Sequence, residues 1–248
     1  MHVSEQFFSI QGEGATMGIP SYFLRLAGCN LMCGGAGTEK TGELYDGATW
    51  RCDSIEVWIK GLKKSFDDII KDFGDDFLHN ITNGSHIVFT GGEPLLHIKQ
   101  INDFLNYLYL KIDSFDMIKS YFEMETNGTI VVDLKYINEF DLINISPKLS
   151  NSGMPYDKRI NYEALGVLMK HDNYIFKFVV SDYKDMDEVS KIIHDLKIPN
   201  DRVYLMPAAD DRVKLNDFSH KLIEICKHFN YRFSSRLQVQ IWDKTTGV

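Results

Sequence analysis

Short apolar runs alternate with amphipathic stretches along almost the whole chain, and this alternation is the strongest constraint on its fold. A strand repeats every two residues and a helix about every 3.6, so a chain that keeps switching between the periods builds parallel strands joined by right-handed crossovers. Residues 21–26, 86–90, 121–126, 142–146, 174–180 and 202–206 read as strands, 7–10 as an edge strand, and 232–242 as containing a last strand, with 237–242 alternating in strand fashion. Helices are expected over 98–112, 162–170, 187–196 and 216–229. A long one is expected over 54–73, with Ile55, Trp58, Leu62, Phe66, Ile69 and Phe73 on one face and Gly74 as its stop. The fold class is therefore α/β. With fewer than eight βα units, a partial, open barrel fits better than a closed one. No linker, repeat or low-complexity segment divides the chain, so residues 1–248 read as a single domain. The stretch 34–51 is rich in Gly, Thr, Glu and Asp and reads as an inserted excursion, a small hairpin or a short helix.

Composition narrows the function classes. The net charge of -8 argues against a general basic surface for nucleic acid. No apolar run approaches a membrane span. The start, Met1-His2-Val3-Ser4-Glu5-Gln6, lacks the basic and apolar regions of a secretory leader, so a cytoplasmic, reducing setting is expected. The four cysteines then read as ligands or free thiols sooner than disulfides.

Three of those cysteines are grouped: Cys29, three residues, Cys33, eighteen residues, Cys52. The loop leaves the strand at 21–26. Three thiols leave a tetrahedral zinc site one ligand short, and His79, His86 or His97 would have to complete it. The same three thiolates on a 4Fe-4S cluster leave one iron open to a chelating small molecule. Unrelated thiols are the third reading. Cys226, inside a helix, reads as a buried structural thiol. Elsewhere, Gln11-Gly12-Glu13-Gly14 allows a tight bend and close approach to a ligand. Arg25 sits in an apolar strand and needs a carboxylate, either from the protein, such as Glu13, or from a ligand. Gly91-Gly92-Glu93 is a strand-to-helix turn with or without a ligand. Ser54 suits a helix N-cap.

The strand-end cysteine loop followed by Thr90-Gly91-Gly92-Glu93-Pro94 resembles the radical S-adenosylmethionine superfamily. Ser9-Ile10-Gln11-Gly12-Glu13-Gly14, Arg25, Glu125-Thr126-Asn127-Gly128-Thr129 and Ser146-Pro147-Lys148 narrow the resemblance to the 7-carboxy-7-deazaguanine synthase family. These motifs span residues 9 to 148 in order, and the remainder matches more loosely. One departure stands out: the superfamily places two residues between its second and third cysteines, where this chain has eighteen. Loop closure grows slowly with length, about 0.6 kcal/mol per doubling, so Cys52 still reaches a common site.

The resemblance implies a lyase that contracts 6-carboxy-5,6,7,8-tetrahydropterin to 7-carboxy-7-deazaguanine with loss of ammonia, started by a 5′-deoxyadenosyl radical. It implies a 4Fe-4S cluster on Cys29, Cys33 and Cys52, Mg²⁺ at Ser54, and S-adenosylmethionine against Arg51, Asp53, Gly92, Glu93, Asn127, Ser146 and Lys148. Substrate contacts are implied at Ile10, Gln11, Gly12, Glu13, Arg25, Thr90 and the terminal Val248. An electron donor such as flavodoxin or ferredoxin and a homodimer are implied as well. The excursion at 34–51 either covers the cluster or receives that donor. Two rival readings are an activase acting on a partner protein and a zinc-stabilised binding module.

Overall fold

The computed structural model describes residues 1–112, 120–245 and 247. The chain opens with an antiparallel pair, β1 (His2–Ile10) and β2 (Pro20–Leu26). The cysteine excursion contains one short helix, α1 (Thr38–Thr41). Then come α2 (Ile55–Trp58), the two-residue β3 (Leu62–Lys63), α3 (Phe66–Phe73) and α4 (Phe77–Ile81). Regular alternation follows with β4 (His86–Gly91), α5 (Ile98–Lys111), β5 (Tyr121–Thr126), β6 (Leu142–Ile145), α6 (Tyr156–Arg159) and α7 (Tyr162–Leu168). The last elements are β7 (Tyr174–Val180), α8 (Asp185–Leu196), β8 (Val203–Pro207), α9 (Arg212–Phe229), β9 (Arg232–Phe233) and α10 (Leu237–Trp242).

Among the described residues the strands form one nine-stranded sheet in the order β3-β1-β2-β4-β5-β6-β7-β8-β9. From β2 to β9 all neighbours are parallel. The two ends of the order do not pair with each other, so the barrel is open, as the count of βα units leads one to expect.

The pleat sorts side chains onto two faces. In β7, Tyr174, Phe176, Phe178 and Val180 join the core beneath the helices, while Lys177 and Val179 face the inside of the curve. The same alternation puts Ile87 and Phe89 of β4 outward and Thr90 inward, and Ile143 and Ile145 of β6 outward and Asn144 inward. Burying each outward Phe or Ile is worth about 1.5–3 kcal/mol. The helix layer is thus held by apolar area, and the inner face is free to carry polar groups.

Four sequence expectations change. The first strand is longer than 7–10 and is not the edge: it runs from His2 to Ile10 between β2 and β3, antiparallel to both. Parallel order therefore begins only at β2. The expected helix over 54–73 is broken in two. Gly61 passes so close to Ala27 that a Cβ there would fall 2.4 Å from the Ala27 Cβ, and Leu62–Lys63 then pairs with His2 and Val3. A new helix starts at Ser65, whose hydroxyl accepts from Asp68 N at 3.1 Å while the Asp68 carboxylate accepts from Ser65 N at 3.2 Å. Residues 237–242 form a helix, α10, instead of a strand, with Gln240 N donating to Arg236 O at 3.0 Å. Val239 packs there with Ala209 and Leu215, a contact that a helix and a strand satisfy equally well in sequence. As anticipated, Gly74 ends α3 at φ +96°, and Cys226 is buried in α9.

Candidate active site

Parallel strands leave their carboxyl ends open to a ligand. Here the ends of β2, β4, β5, β6, β7 and β8 surround one cavity of about 760 Å³. Its two ends differ in chemistry.

Cys29, Cys33 and Cys52 line the first end. The eighteen-residue interval folds back on itself, so that Cys52 N donates to Cys33 O at 3.2 Å. The excursion is pinned by Gly34 N to Ser152 O at 2.9 Å, Thr49 N to Asn151 O at 2.9 Å and Trp50 Nε1 to Asn151 Oδ1 at 2.8 Å. It gives Thr49 and Trp50 to the cavity wall. The sulfurs receive weak donors: Leu31 N lies 3.4 Å from Cys29 Sγ, and Trp58 Nε1 lies 3.5 Å from Cys52 Sγ. Burial pushes the Cys29 thiol up to about 11 and the Cys33 thiol up to about 12. A coordinated metal reverses that preference, because it deprotonates a thiol outright.

The Gly91-Gly92-Glu93 turn is bonded to the cysteine loop. Gly92 N donates to Leu26 O at 3.0 Å and Glu93 N to Gly28 O at 2.9 Å. A Cβ on Gly92 would fall 1.8 Å from Gly28 O, so only glycine permits this approach. Gly92 lines the cavity, whereas Glu93 is fully buried behind it. The Glu93 carboxylate accepts from Leu95 N at 3.0 Å, Thr126 Oγ1 at 2.7 Å and Asn127 N at 2.7 Å. Burial pushes this carboxyl up, against those three donors. Its oxygens tie its own turn to the end of β5 and do not face the cavity.

The donor set suits an iron–sulfur cluster better than a lone zinc ion. Among the described residues, no group of three or more His, Cys, Asp or Glu is arranged to hold a single metal ion. No fourth ligand comes from the histidines. His97 Nε2 bonds Ala27 O at 2.7 Å, His86 pairs with Glu123, His79 stands beside Asn83 in and after α4, and none of them lines the cavity.

The second end is charged. Glu13 Oε2 accepts from Lys177 Nζ at 2.6 Å, and Glu13 Oε1 from Gln238 Nε2 at 2.7 Å and Arg236 Nε at 3.1 Å. Burial opposes ionisation of Glu13, but the Lys177 ammonium and the Arg236 guanidinium outweigh it and hold the carboxyl well below the usual range. Glu125 accepts from Thr90 Oγ1 at 2.8 Å and Gln11 Nε2 at 3.3 Å. Arg236 also donates to Asp53, the residue after Cys52, and to Ala209 O at 2.5 Å. Arg25 pairs with Glu5, not with Glu13: its Nε lies 3.0 Å from Glu5 Oε2, close enough for charge pairing but not aligned for a hydrogen bond. Its guanidinium stands over the Phe7 ring, 5.4 Å from the centroid.

Asn127, Ser146, Lys148, Arg51 and Ser54 also line the wall, with Asn127 Nδ2 4.0 Å from Cys29 Sγ. Lys148 Nζ donates to Ser146 Oγ at 3.1 Å, and Asn127 Nδ2 to Asn30 Oδ1 at 3.0 Å. Arg51 is tied to Thr38 and Glu56. Ser54 occupies the N-cap position of α2 but makes no capping bond, and its Oγ stands 3.5 Å from Cys52 Sγ. Ile10 and Gly12 complete the wall, the latter beneath α10, where Leu237 N donates to Gly12 O at 2.9 Å. Val248 lies outside the described residues.

Sequence reasoning missed Glu125, Lys177, Arg236 and Gln238 as wall residues. A signal existed for two of them: a charge inside an otherwise apolar parallel strand, in Tyr-Phe-Glu-Met-Glu-Thr and in Tyr-Ile-Phe-Lys-Phe-Val-Val. Nothing local marks Arg236 or Gln238.

No family model matches the chain. It is 30% identical to a 7-carboxy-7-deazaguanine synthase of Halobacterium salinarum, over 97% of this chain and 90% of that one. It is 28% identical to the enzyme of the same name from Pyrobaculum aerophilum, over 100% and 97%. Among solved structures, QueE from Escherichia coli superposes with a TM-score of 0.59 at 24% identity, covering 95% of this chain and 93% of that one.

Proposed function

The chain belongs to the 7-carboxy-7-deazaguanine synthase family, and from that premise we propose how its cavity divides the work. It is a radical S-adenosylmethionine enzyme that forms 7-carboxy-7-deazaguanine from 6-carboxy-5,6,7,8-tetrahydropterin with loss of ammonia. It uses S-adenosylmethionine and a 4Fe-4S cluster, which together supply one-electron initiation when bound. The observation that carries the division is a single cavity with three thiols at one end and paired charges at the other.

Cys29, Cys33 and Cys52 hold the cluster. Asn127, Ser146, Lys148, Arg51, Asp53 and the backbone at Gly92 orient S-adenosylmethionine beside it. Glu93 acts one layer back, by fixing the turn and Asn127 through the bonds described above. Arg25 takes the substrate carboxylate: it lines the cavity and its pairing with Glu5 runs through Nε without a hydrogen bond, so its donors remain for a bidentate contact. Gln11, Glu13, Thr90 and the backbone of Ile10 and Gly12 read the pyrimidine edge, with Glu125 added to them. Ser54, whose hydroxyl no helix amide claims, ligates Mg²⁺ together with substrate oxygens and water. By holding both molecules in one cavity, the chain lowers the entropic barrier to their encounter. The excursion at 34–51 supplies part of that wall, within one domain spanning 1–248. Val248 as a substrate contact, a homodimer and a flavodoxin or ferredoxin as electron donor complete the proposal.

Anaerobic reconstitution tests it. Iron and sulfide are expected in four-to-four ratio, with deazaguanine product formed from the carboxytetrahydropterin and stimulated by Mg²⁺. S-adenosylmethionine cleavage without deazaguanine would point to an activase. A tightly held zinc without iron would sink the assignment of the cysteines.

A further inference from the structure

A lysine stands in the middle of β7, where every position is buried. Phe176 and Phe178 face the helices, so the pleat turns Lys177 onto the cavity wall. Only 6% of its side chain is exposed. A buried ammonium is costly unless paired. Here Nζ donates to Glu13 Oε2 at 2.6 Å and stands 3.9 Å from Glu125 Oε1. Burial alone would push this ammonium down, and the two carboxylates outweigh it.

The groups facing this point come from five segments. Glu13 follows β1, Glu125 is on β5 and Lys177 on β7. Arg236 and Gln238 come from the start of α10, and both donate to Glu13. Thr90 of β4 and Gln11 donate to Glu125. The Glu5–Arg25 pair lies on the same wall, and Asp53 is reached through Arg236. No histidine lines the cavity among the described residues.

Two carboxylates facing one space do not both stay ionised unless a cation stands between them. A pterin's pyrimidinone edge carries a ring N–H and an amino group, two donors side by side, and two ionised carboxylates are the acceptors that match. Each carboxylate oxygen has two lone-pair sites. Glu13 Oε1 is filled by Gln238 and Arg236, but Oε2 keeps one site beside Lys177, and each Glu125 oxygen, with a single bond, keeps one. We propose that Lys177 is a positioning residue for specificity, holding Glu13 and Glu125 apart and ionised so that they accept the paired donors of the substrate edge. The inference rests on the pterin reading above. It adds a rejection rule: an analogue with a carbonyl in place of the 2-amino group sets acceptor against acceptor and is turned away.

The test is the pH profile of KM and kcat between pH 6 and 8 for the reconstituted enzyme and for Lys177→Met, with iron content and thermal melting as checks on loading and folding. The wild-type KM is expected to stay flat within about twofold, since the Lys177 ammonium stands between the two carboxylates. In Lys177→Met, Arg236 still holds Glu13 but Glu125 has lost its cation, so the pair takes up a shared proton at pH 6 and one acceptor is lost. KM then rises about tenfold or more with kcat within about threefold, because ground-state and transition-state binding suffer alike. It falls again as pH rises to 8 and the shared proton leaves. Lys177→Arg is expected to return the flat profile. A Lys177→Met enzyme with unchanged KM, or with a KM raised equally at every pH, overturns the role. If that variant does not fold, the wild type decides. A wild-type KM that falls more than about threefold from pH 6 to 8 overturns the proposal, because it shows a shared proton despite Lys177. A flat profile together with rejection of the 2-oxo analogue supports it. Absence of any deazaguanine product from the wild type overturns the pterin reading and this inference with it.

Discussion

The thiol end and the charged end of the cavity are built on opposite principles. At the thiol end, backbone positions backbone: Gly92 against Gly28, and Cys52 N on Cys33 O. At the charged end, side chains position side chains, and residues as distant as Glu13, Lys177 and Arg236 meet only there. Backbone contacts tolerate no added atom but survive most changes of side chain. A side-chain ion network tolerates shifts in size but fails when one charge is removed, because the partners are left buried and unpaired.

The largest expected effect breaks the thiol end. Cys52→Ala should abolish the brown cluster absorbance and all turnover, whereas Cys226→Ala should retain both. Iron analysis of the two variants reads this directly, and the reverse outcome would place the third ligand wrongly. Next, Gly92→Ala forces a Cβ onto the Gly28 carbonyl, and a loss of about 3 kcal/mol in unfolding free energy is expected, with poor iron incorporation. Denaturant melts of the iron-free protein isolate the backbone effect.

The charged end should respond differently. Arg236→Met removes the cation that joins Asp53 to Glu13, and a loss of about 3 kcal/mol is expected with the cluster retained. Raised substrate KM at full iron content would confirm that the two ends are separable. Loss of iron would show them coupled through Asp53. The smallest effect is at Ser54. Because its hydroxyl caps nothing, Ser54→Ala should change stability by less than about 0.5 kcal/mol. The proposed Mg²⁺ contact predicts a several-fold rise in the Mg²⁺ concentration needed for full rate, and an unchanged Mg²⁺ titration would remove Ser54 from the metal site.

Legibility in the sequence followed the same division. The thiol end is written largely in short motifs, since backbone-built sites need glycines and cysteines at local offsets; Cys52, eighteen residues beyond Cys33, is the exception. Glu93 was visible in its motif, but its direction was not: only the packed structure shows that its oxygens bond Leu95, Thr126 and Asn127 and turn from the cavity. The broken helix at 54–73 has a readable stop and start, Gly61 and the Ser65–Asp68 capping box, overridden by an apolar period that ran through both. The end of the chain is ambiguous in sequence for a simpler reason. Six residues with one buried position, Val239, fit either period.

What the sequence determined by itself was the α/β class, the open barrel, the cysteine set and the turn that meets it, because periodicity and local spacing are properties of neighbouring residues. Tertiary structure alone decided that Arg25 pairs with Glu5, that β1 runs antiparallel inside the sheet, and that Lys177 and Arg236 converge on Glu13. Those outcomes depend on which strands become neighbours and which way each pleat turns, and long-range pairing leaves no trace in the spacing of the residues it brings together.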